Sequence, residues 1–361
     1  MTPLDPPVYE GVNLGNLSAE LESRLTGSSL LPGLSPDLAS QIPEADTYVL
    51  FVADGLGDHQ LAHPKATALA ESRVGTLRAP FPATTIVSLA TLFTGMAPAG
   101  HGVLSHFMHL PEQGGVTNML KWKDRSGTPL TGDTTNILPS PNLWERLGAS
   151  GVEPVTVQPG PFADTPTTKM LYRGCRFEGA WNSNEVVEAT LQMSERPGRL
   201  VVTYLPQLDI SAHGYGQQSP EYRTALQQIA DVWDRLIRQA PHHVTVIGTG
   251  DHGHVDYQAS RKHSVKSRPN ARVFGDPRVL ALQMTDEAAE KFATDLPATL
   301  VSDPRSYYGP GDHEDLGERL PTHLVMADPE HLLIPRYMDD RLVGYHGGLD
   351  PREAEVPLLV G

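Results

Sequence analysis

Three acids stand just beyond three apolar runs: Asp54 after Thr47 to Ala53, Asp209 after Arg199 to Leu205, and Asp251 after His243 to Thr249. Runs of this kind, rich in β-branched residues and bounded by turn signals, read as strands buried on both faces of a parallel sheet. An acid at the carboxyl end of such a strand lies in the crevice where open α/β sheets bind ligands. Three imidazoles keep them company. His213 follows Asp209 by four residues, a spacing that on a helical turn points both at one ion. His252 adjoins Asp251, and His346 sits in a glycine-rich turn ending Gly347-Gly348. Thr85 opens the run Ile86 to Thr94, which Gly95 closes, so the segment reads as a loop turning into a short helix. A threonine there has free N–H groups and the positive dipole end nearby, a seat for an anionic phosphate.

Taken singly, these residues have plain explanations. Asp54-Gly55 reads as a turn, Asp209 and His213 as a solvated helix pair, and Thr85 as a helix cap. The ordered combination at strand ends argues for a site. Mixed imidazole and carboxylate ligation suits zinc, with manganese or iron as alternatives. Asp54, Thr85, Asp209, His213, Asp251, His252 and His346 exceed what one tetrahedral ion takes, which implies two. Two ions about 4 Å apart can clamp the attacking and leaving oxygens of an in-line phosphoryl displacement and make a threonine alkoxide accessible.

The 361 residues carry a net charge of −15, fifteen histidines and one cysteine. That balance opposes binding of a nucleic-acid duplex, while bound metal would still admit a small anionic substrate. A lone Cys175 excludes a disulfide framework and a thiolate zinc cluster. No basic-then-apolar leader opens the sequence, and no run approaches the roughly eighteen apolar residues of a membrane span. The expectation is a cytoplasmic protein.

Positioning these residues calls for a doubly wound α/β core, its mostly parallel sheet flanked by helices on both faces. Val152 to Val157 supplies a further strand. Ser219-Pro220-Glu221 opens a helix whose apolar face runs Tyr222, Leu226, Ile229, Trp233 and Leu236. Residues 1–44 read as an N-terminal arm laid on the surface, with a short helix near Leu17 to Leu25. The core spans 45–257 and 337–361, and 258–336 reads as an inserted cap. His101 reads as ordering its loop, and His254 as a surface residue close enough to the ligands to support them. Asn118, with Lys121 and Trp122, could line the crevice. The basic stretch holding Arg261, Lys262, Lys266, Arg268 and Arg272 reads as a solvated charge run.

The order Asp54-Gly55, Thr85 to Gly95, Asp209-x-x-x-His213, Asp251-His252-Gly253 and His346-Gly347 resembles the alkaline phosphatase superfamily, and within it the nucleotide pyrophosphatase/phosphodiesterase family. The resemblance covers about 45 to 255 and the stretch from about 337. It implies that Asp209, His213 and His346 hold one zinc ion and that Asp54, Asp251 and His252 hold the other. Thr85 is then the nucleophile, bridging toward the second ion and forming a phospho-threonine, and Tyr204 matches the family's base-stacking tyrosine. Family members usually carry Thr-Phe-Pro-Asn from the nucleophile; here Ile86 and Ser88 replace the Phe and Asn, and Ser88 retains one hydrogen bond to offer a phosphate. The implied activity is hydrolysis of a phosphodiester or phosphoanhydride, on a small phosphorylated substrate such as a nucleotide. The alternatives are a phosphomonoesterase or phosphonate hydrolase on the same metal core, or a non-catalytic metal- or ligand-binding protein. A sulfatase is disfavoured, because Cys175 lies in Gly-Cys-Arg-Phe.

Overall fold

The computed structural model describes residues 5–266 and 272–361; Arg268 of the basic stretch lies outside them. Seven strands form the main sheet: β1 Thr47–Ala53, β2 Arg73–Arg78, β3 Glu153–Pro159, β4 Arg176–Ala180, β5 Arg199–Leu205, β6 Val244–Gly250 and β7 Glu355–Val360. Their order across the sheet is β2-β7-β6-β1-β5-β3-β4. All neighbours pair in parallel except β7, which runs antiparallel between β6 and β2. This is the expected mixed, mostly parallel α/β sheet with helices on both faces.

β1 shows why its sequence is apolar throughout. Tyr48, Leu50 and Val52 face a core shared with Leu14, Leu17, Ile86 and Phe93. Val49, Phe51 and Ala53 face the opposite core with Leu226, Ile229 and Trp233. The first core is covered by helices α1 Leu14–Thr26, α2 Thr85–Thr94 and α3 Leu143–Ala149. The second is covered by α4 Ser183–Ser194, α5 Gln207–Tyr215 and α6 Pro220–Gln239. Ser219 caps α6 by accepting from the Tyr222 N–H at 3.0 Å, and the predicted apolar face of that helix is buried.

The N-terminal segment is no surface arm. Asn13 and Asn16 form a capping box, and Leu14, Leu17 and Leu21 are fully buried against the first core. The helix packs directly on α2, its Ser18 hydroxyl donating to the Leu92 carbonyl. A helix with three buried leucines contributes several kcal/mol of apolar burial, at about 1.5–3 kcal/mol each.

A second, antiparallel sheet of seven strands takes Ala298–Val301, His323–Ala327, Val279–Gln283, Arg272–Asp276, Phe107–Leu110, Gly115–Asn118 and Lys123–Asp124, in that order. Residues 258–336 therefore do not stand apart as a cap. Their strands continue through Gly275 and Phe107 into 107–124, a region the sequence reading left in the core. The physical reason is coverage: a sheet apolar on both faces must bury both. Phe274, Ala281 and Leu324 join the main core, while Leu280, Leu282 and Val325 pack with Phe292 of the helix Asp286–Ala293.

Candidate active site

The strand ends place the acids as the parallel topology requires. Asp54 leaves β1 with its N–H donating to the Leu205 carbonyl at 3.0 Å, and its own carbonyl accepts from the Asp209 N–H at 3.1 Å. Gly55 follows at φ +79°, and a Cβ there would sit 3.1 Å from the Asp209 Cα. Only glycine lets this turn close onto α5. The Gly55 N–H in turn donates to Asp251 Oδ1 at 3.0 Å.

Two groups of ligand atoms result. In the first, Asp209 Oδ1 and His213 Nε2 are 3.3 Å apart, His213 Nε2 and His346 Nε2 3.3 Å, and His346 Nε2 and Asp209 Oδ1 3.7 Å. In the second, His252 Nε2 lies 3.4 Å from Asp54 Oδ1 and 3.6 Å from Asp251 Oδ2. Tetrahedral coordination with ligand bonds of 2.0–2.1 Å sets neighbouring donors about 3.3 Å apart. Both groups fit that edge. Thr85 Oγ1 adjoins the second, 3.0 Å from His252 Nε2 and 3.5 Å from Asp54 Oδ1. The His252 and His346 rings stack at 3.5 Å between centroids, which sets the two groups side by side.

The tautomers fit as well. His213 Nδ1 lies 2.7 Å from the Gly344 carbonyl, His252 Nδ1 3.0 Å from the Gly253 carbonyl, and His346 Nδ1 2.9 Å from the Ala83 carbonyl. A carbonyl only accepts, so each Nδ1 carries the hydrogen and each Nε2 lone pair faces the site, the state a metal needs.

The charges point the same way. Asp54 and Asp251 are buried and Asp209 is half-buried, and among the described residues their ion-pair partners are all histidines. Burial, then the Asp209 charge, pushes the Asp54 carboxyl far up. Burial, then the Asp54 charge, does the same for Asp251. Burial would raise Asp209 too, but its histidine neighbours, His213 first and then His254, hold it low. Asp251 Oδ2 has no hydrogen-bond partner among the described residues. Carboxylates buried without a cation are costly, and a divalent ion reverses that balance.

His254 has a larger part than the sequence suggested. It is fully buried, not a surface residue, and its Nε2 lies 2.6 Å from Asp209 Oδ1. That is a hydrogen-bond length, well short of the spacing between two ligands of one ion, so His254 steadies Asp209. Burial lowers its pKa to about 4, which keeps the ring neutral.

The expected substrate residues fare differently. Tyr204 offers no stacking face: its ring is buried and its hydroxyl donates to Asp54 Oδ2. Ser88 lies one turn along α2 from Thr85, fully buried, its hydroxyl unpartnered among the described residues. Asn118 lines a cleft of about 400 Å³ together with His213 and His346. Its own Oδ1 is occupied by the Leu120 and Lys121 N–H groups at 3.1 and 2.8 Å. His101 orders its loop as expected, accepting from the Val103 N–H at 3.1 Å with Nε2 3.0 Å from the Thr91 hydroxyl. His106 and Asp276 also line the cleft and escaped the sequence reading, because neither follows a strand of the main sheet. Burial lowers His106 to about 4 and raises Asp276 to about 7.

One α/β sheet thus delivers three acids, three imidazoles and a hydroxyl to a single crevice. Residues 48–347 match the family described as type I phosphodiesterase / nucleotide pyrophosphatase, and the chain belongs to that family. A relative in Schizosaccharomyces pombe, an uncharacterized pyrophosphatase/phosphodiesterase, is 27% identical over 209 residues, 53% of this chain. The match spans only 40% of that relative's length. Murine ectonucleotide pyrophosphatase/phosphodiesterase 5 shares the fold at a TM-score of 0.67 and 17% identity, covering 86% of this chain and 87% of its own. Phosphonoacetate hydrolase from Sinorhizobium meliloti 1021, solved with phosphonoacetate, does so at 0.65 and 15%, covering 88% and 91%. No helix among the described residues is long and apolar enough to cross a membrane.

Proposed function

We propose that the protein is a two-zinc hydrolase that cleaves phosphodiesters or phosphoanhydrides through a covalent phospho-threonine on Thr85. The observation that carries this reading is the Nδ1 lock on His213, His252 and His346, which presents three Nε2 lone pairs to one pocket. Asp209, His213 and His346 would hold one ion, and Asp54, Asp251 and His252 the other, with Thr85 beside it. Bound there, zinc would supply Lewis acidity and a low-pKa oxygen nucleophile.

The chain's own groups do the rest. Thr85, at the start of α2, presents its hydroxyl where free N–H groups and the helix dipole favour an anionic phosphoryl group. Its oxygen gives up its proton to solvent and forms the new bond to phosphorus as the ester or anhydride bond breaks, and the leaving oxygen takes a proton from solvent. Water then attacks the phospho-threonine, releasing phosphate or a phosphomonoester and restoring the hydroxyl. Tyr204 and His254 fix Asp54 and Asp209 throughout. The substrate is a small phosphorylated molecule; a nucleotide is consistent with murine ectonucleotide pyrophosphatase/phosphodiesterase 5, whose inactive form was solved with AMP.

The test is hydrolysis of bis(p-nitrophenyl) phosphate against p-nitrophenyl phosphate after zinc reconstitution, with Thr85→Ala alongside. The diester should be preferred, and Thr85→Ala should keep fold and metal while losing at least about 10³-fold in kcat. Preference for the monoester would select the monoesterase alternative, and full activity of Thr85→Ala would remove the nucleophile assignment.

A further inference from the structure

One fully buried carboxylate has no part in the chemistry described above. Glu353 sits in the short helical segment Pro351–Ala354, between the His346 turn and β7. Its charge is met by Arg278, also buried, whose Nε donates to Oε1 at 2.9 Å. The Tyr257 hydroxyl donates to the same oxygen at 3.1 Å. Arg278 lies in the tight turn between two strands of the antiparallel sheet, Arg272–Asp276 and Val279–Gln283. It is fixed there: its Nη1 donates to the His331 and Asp328 carbonyls at 2.6 and 3.2 Å, and its guanidinium lies 5.5 Å from the Tyr257 ring centroid. Unlike Asp54 and Asp251, then, Glu353 is neutralised by the chain itself.

A buried ion pair adds little net stability over apolar residues of similar volume, so stability alone is a weak reason for this one. What sets it apart is where the remaining bonds of Glu353 go. Its Oε2 accepts from the Gly348 N–H at 2.7 Å, two residues past His346. Its backbone carbonyl accepts from the Gly253 N–H at 2.8 Å, one residue past His252. Gly253 is also the residue whose carbonyl takes the His252 Nδ1 hydrogen. One residue thus holds the backbone behind two histidines whose rings stack on each other, one from each group of ligand atoms. Both turns admit it only as glycines. A Cβ at Gly253 would stand 2.1 Å from the Arg352 carbonyl oxygen, and one at Gly348 would stand 3.0 Å from both Arg278 Nε and Glu353 Oε2.

We propose that Glu353 is a positioning residue for both metal sites: its carboxylate and its carbonyl together set His252 and His346 at the spacing two ions need. This rests on the two-metal reading of the ligand groups. Hydrogen bonds that orient a ligand from behind are worth about 10–100-fold in metal affinity. Arg278 serves the same end by holding the carboxylate ionised and aimed at the Gly348 N–H. Through it the antiparallel sheet supports the metal sites without supplying a ligand.

Two metal titrations of the full chain, stripped of metal, test this: zinc in competition with a fluorescent chelator, and cobalt(II) followed by its visible absorption. Glu353→Gln keeps the size of the side chain but gives up its charge and one acceptor. It should lose at least about tenfold in zinc affinity and change the intensity of the cobalt bands, with its circular dichroism unchanged. Gly348→Ala leaves every charge in place and crowds the carboxylate off the Gly348 N–H. It should show the same two effects, and it decides the matter if Glu353→Gln does not fold. Tyr257→Phe removes a bond to Oε1 alone and should bind zinc within about twofold of wild type. A lowered melting temperature with wild-type zinc affinity and cobalt spectrum, in folded Glu353→Gln or in Gly348→Ala, would reduce the pair to a structural one and overturn the proposal. An equal loss of affinity in Tyr257→Phe would overturn it too, by tracing the effect to packing around the pair. If the wild type takes up fewer than two ions, the two-metal reading fails instead.

Discussion

The two sides of the cleft are built on opposite plans. Its floor comes from the ends of β1, β5 and β6, where acids and imidazoles gather and no Lys or Arg among the described residues touches them. Its rim comes from the antiparallel sheet and the loop near Tyr337, where the cations Lys121, Lys123 and Arg125 stand without ion-pair partners among the described residues. The floor concentrates negative charge at a cost to stability and is suited to hold cations. The rim leaves positive charge uncovered and is suited to meet an anion. The two kinds of charge thus reside in different sheets, and each can be perturbed separately.

The largest effect should come from the floor. Asp251→Asn removes a buried carboxylate whose Oδ2 has no hydrogen-bond partner among the described residues. In chelator the variant should melt a few degrees above wild type, because an uncompensated buried charge is gone. Zinc should raise the wild-type melting temperature and leave the variant nearly unmoved, with activity lost by at least about 10²-fold. Differential scanning calorimetry with and without zinc would show it, and a variant less stable than wild type in chelator would contradict the charge argument.

His254→Gln should act more mildly. It takes away the Nε2 donor on Asp209 and should weaken zinc affinity about 10–100-fold without changing stoichiometry. Competition with a chromogenic chelator measures this, and unchanged affinity would return His254 to packing alone.

The smallest expected effect lies where floor and rim meet. Asp276 is raised to about 7 by burial, so the folded state binds its proton more tightly than the unfolded chain does. Its contribution is therefore full below about pH 4, declines as pH rises toward 7, and levels off above. Asp276→Asn should flatten that part of the stability curve. Melting temperatures of both proteins between pH 4 and 8 would test it, parallel curves being the adverse result.

The difference between the two sides also explains what could be read in advance. Strand β1 and its acid were plain, because a parallel strand buried on both faces has an unbroken apolar sequence that ends where the ligand site begins. The edge strands Arg73–Arg78 and Arg176–Ala180 were missed, being partly exposed and mixed in composition. The rim was harder still. Phe107–Leu110 and Arg272–Asp276 pair across more than 160 residues of chain, and nothing local in either marks the other as its neighbour. Tyr204 was misread for a related reason: five residues before Asp209 it matches a stacking position, yet its place inside β5 turns the ring into the core and its hydroxyl onto Asp54.

The antiparallel sheet is joined across its middle by one paired position, Gly275 with Phe107. A seam so narrow lets the hairpin beyond it, 107–125, change in length and charge while the strands that carry the acids stay in register.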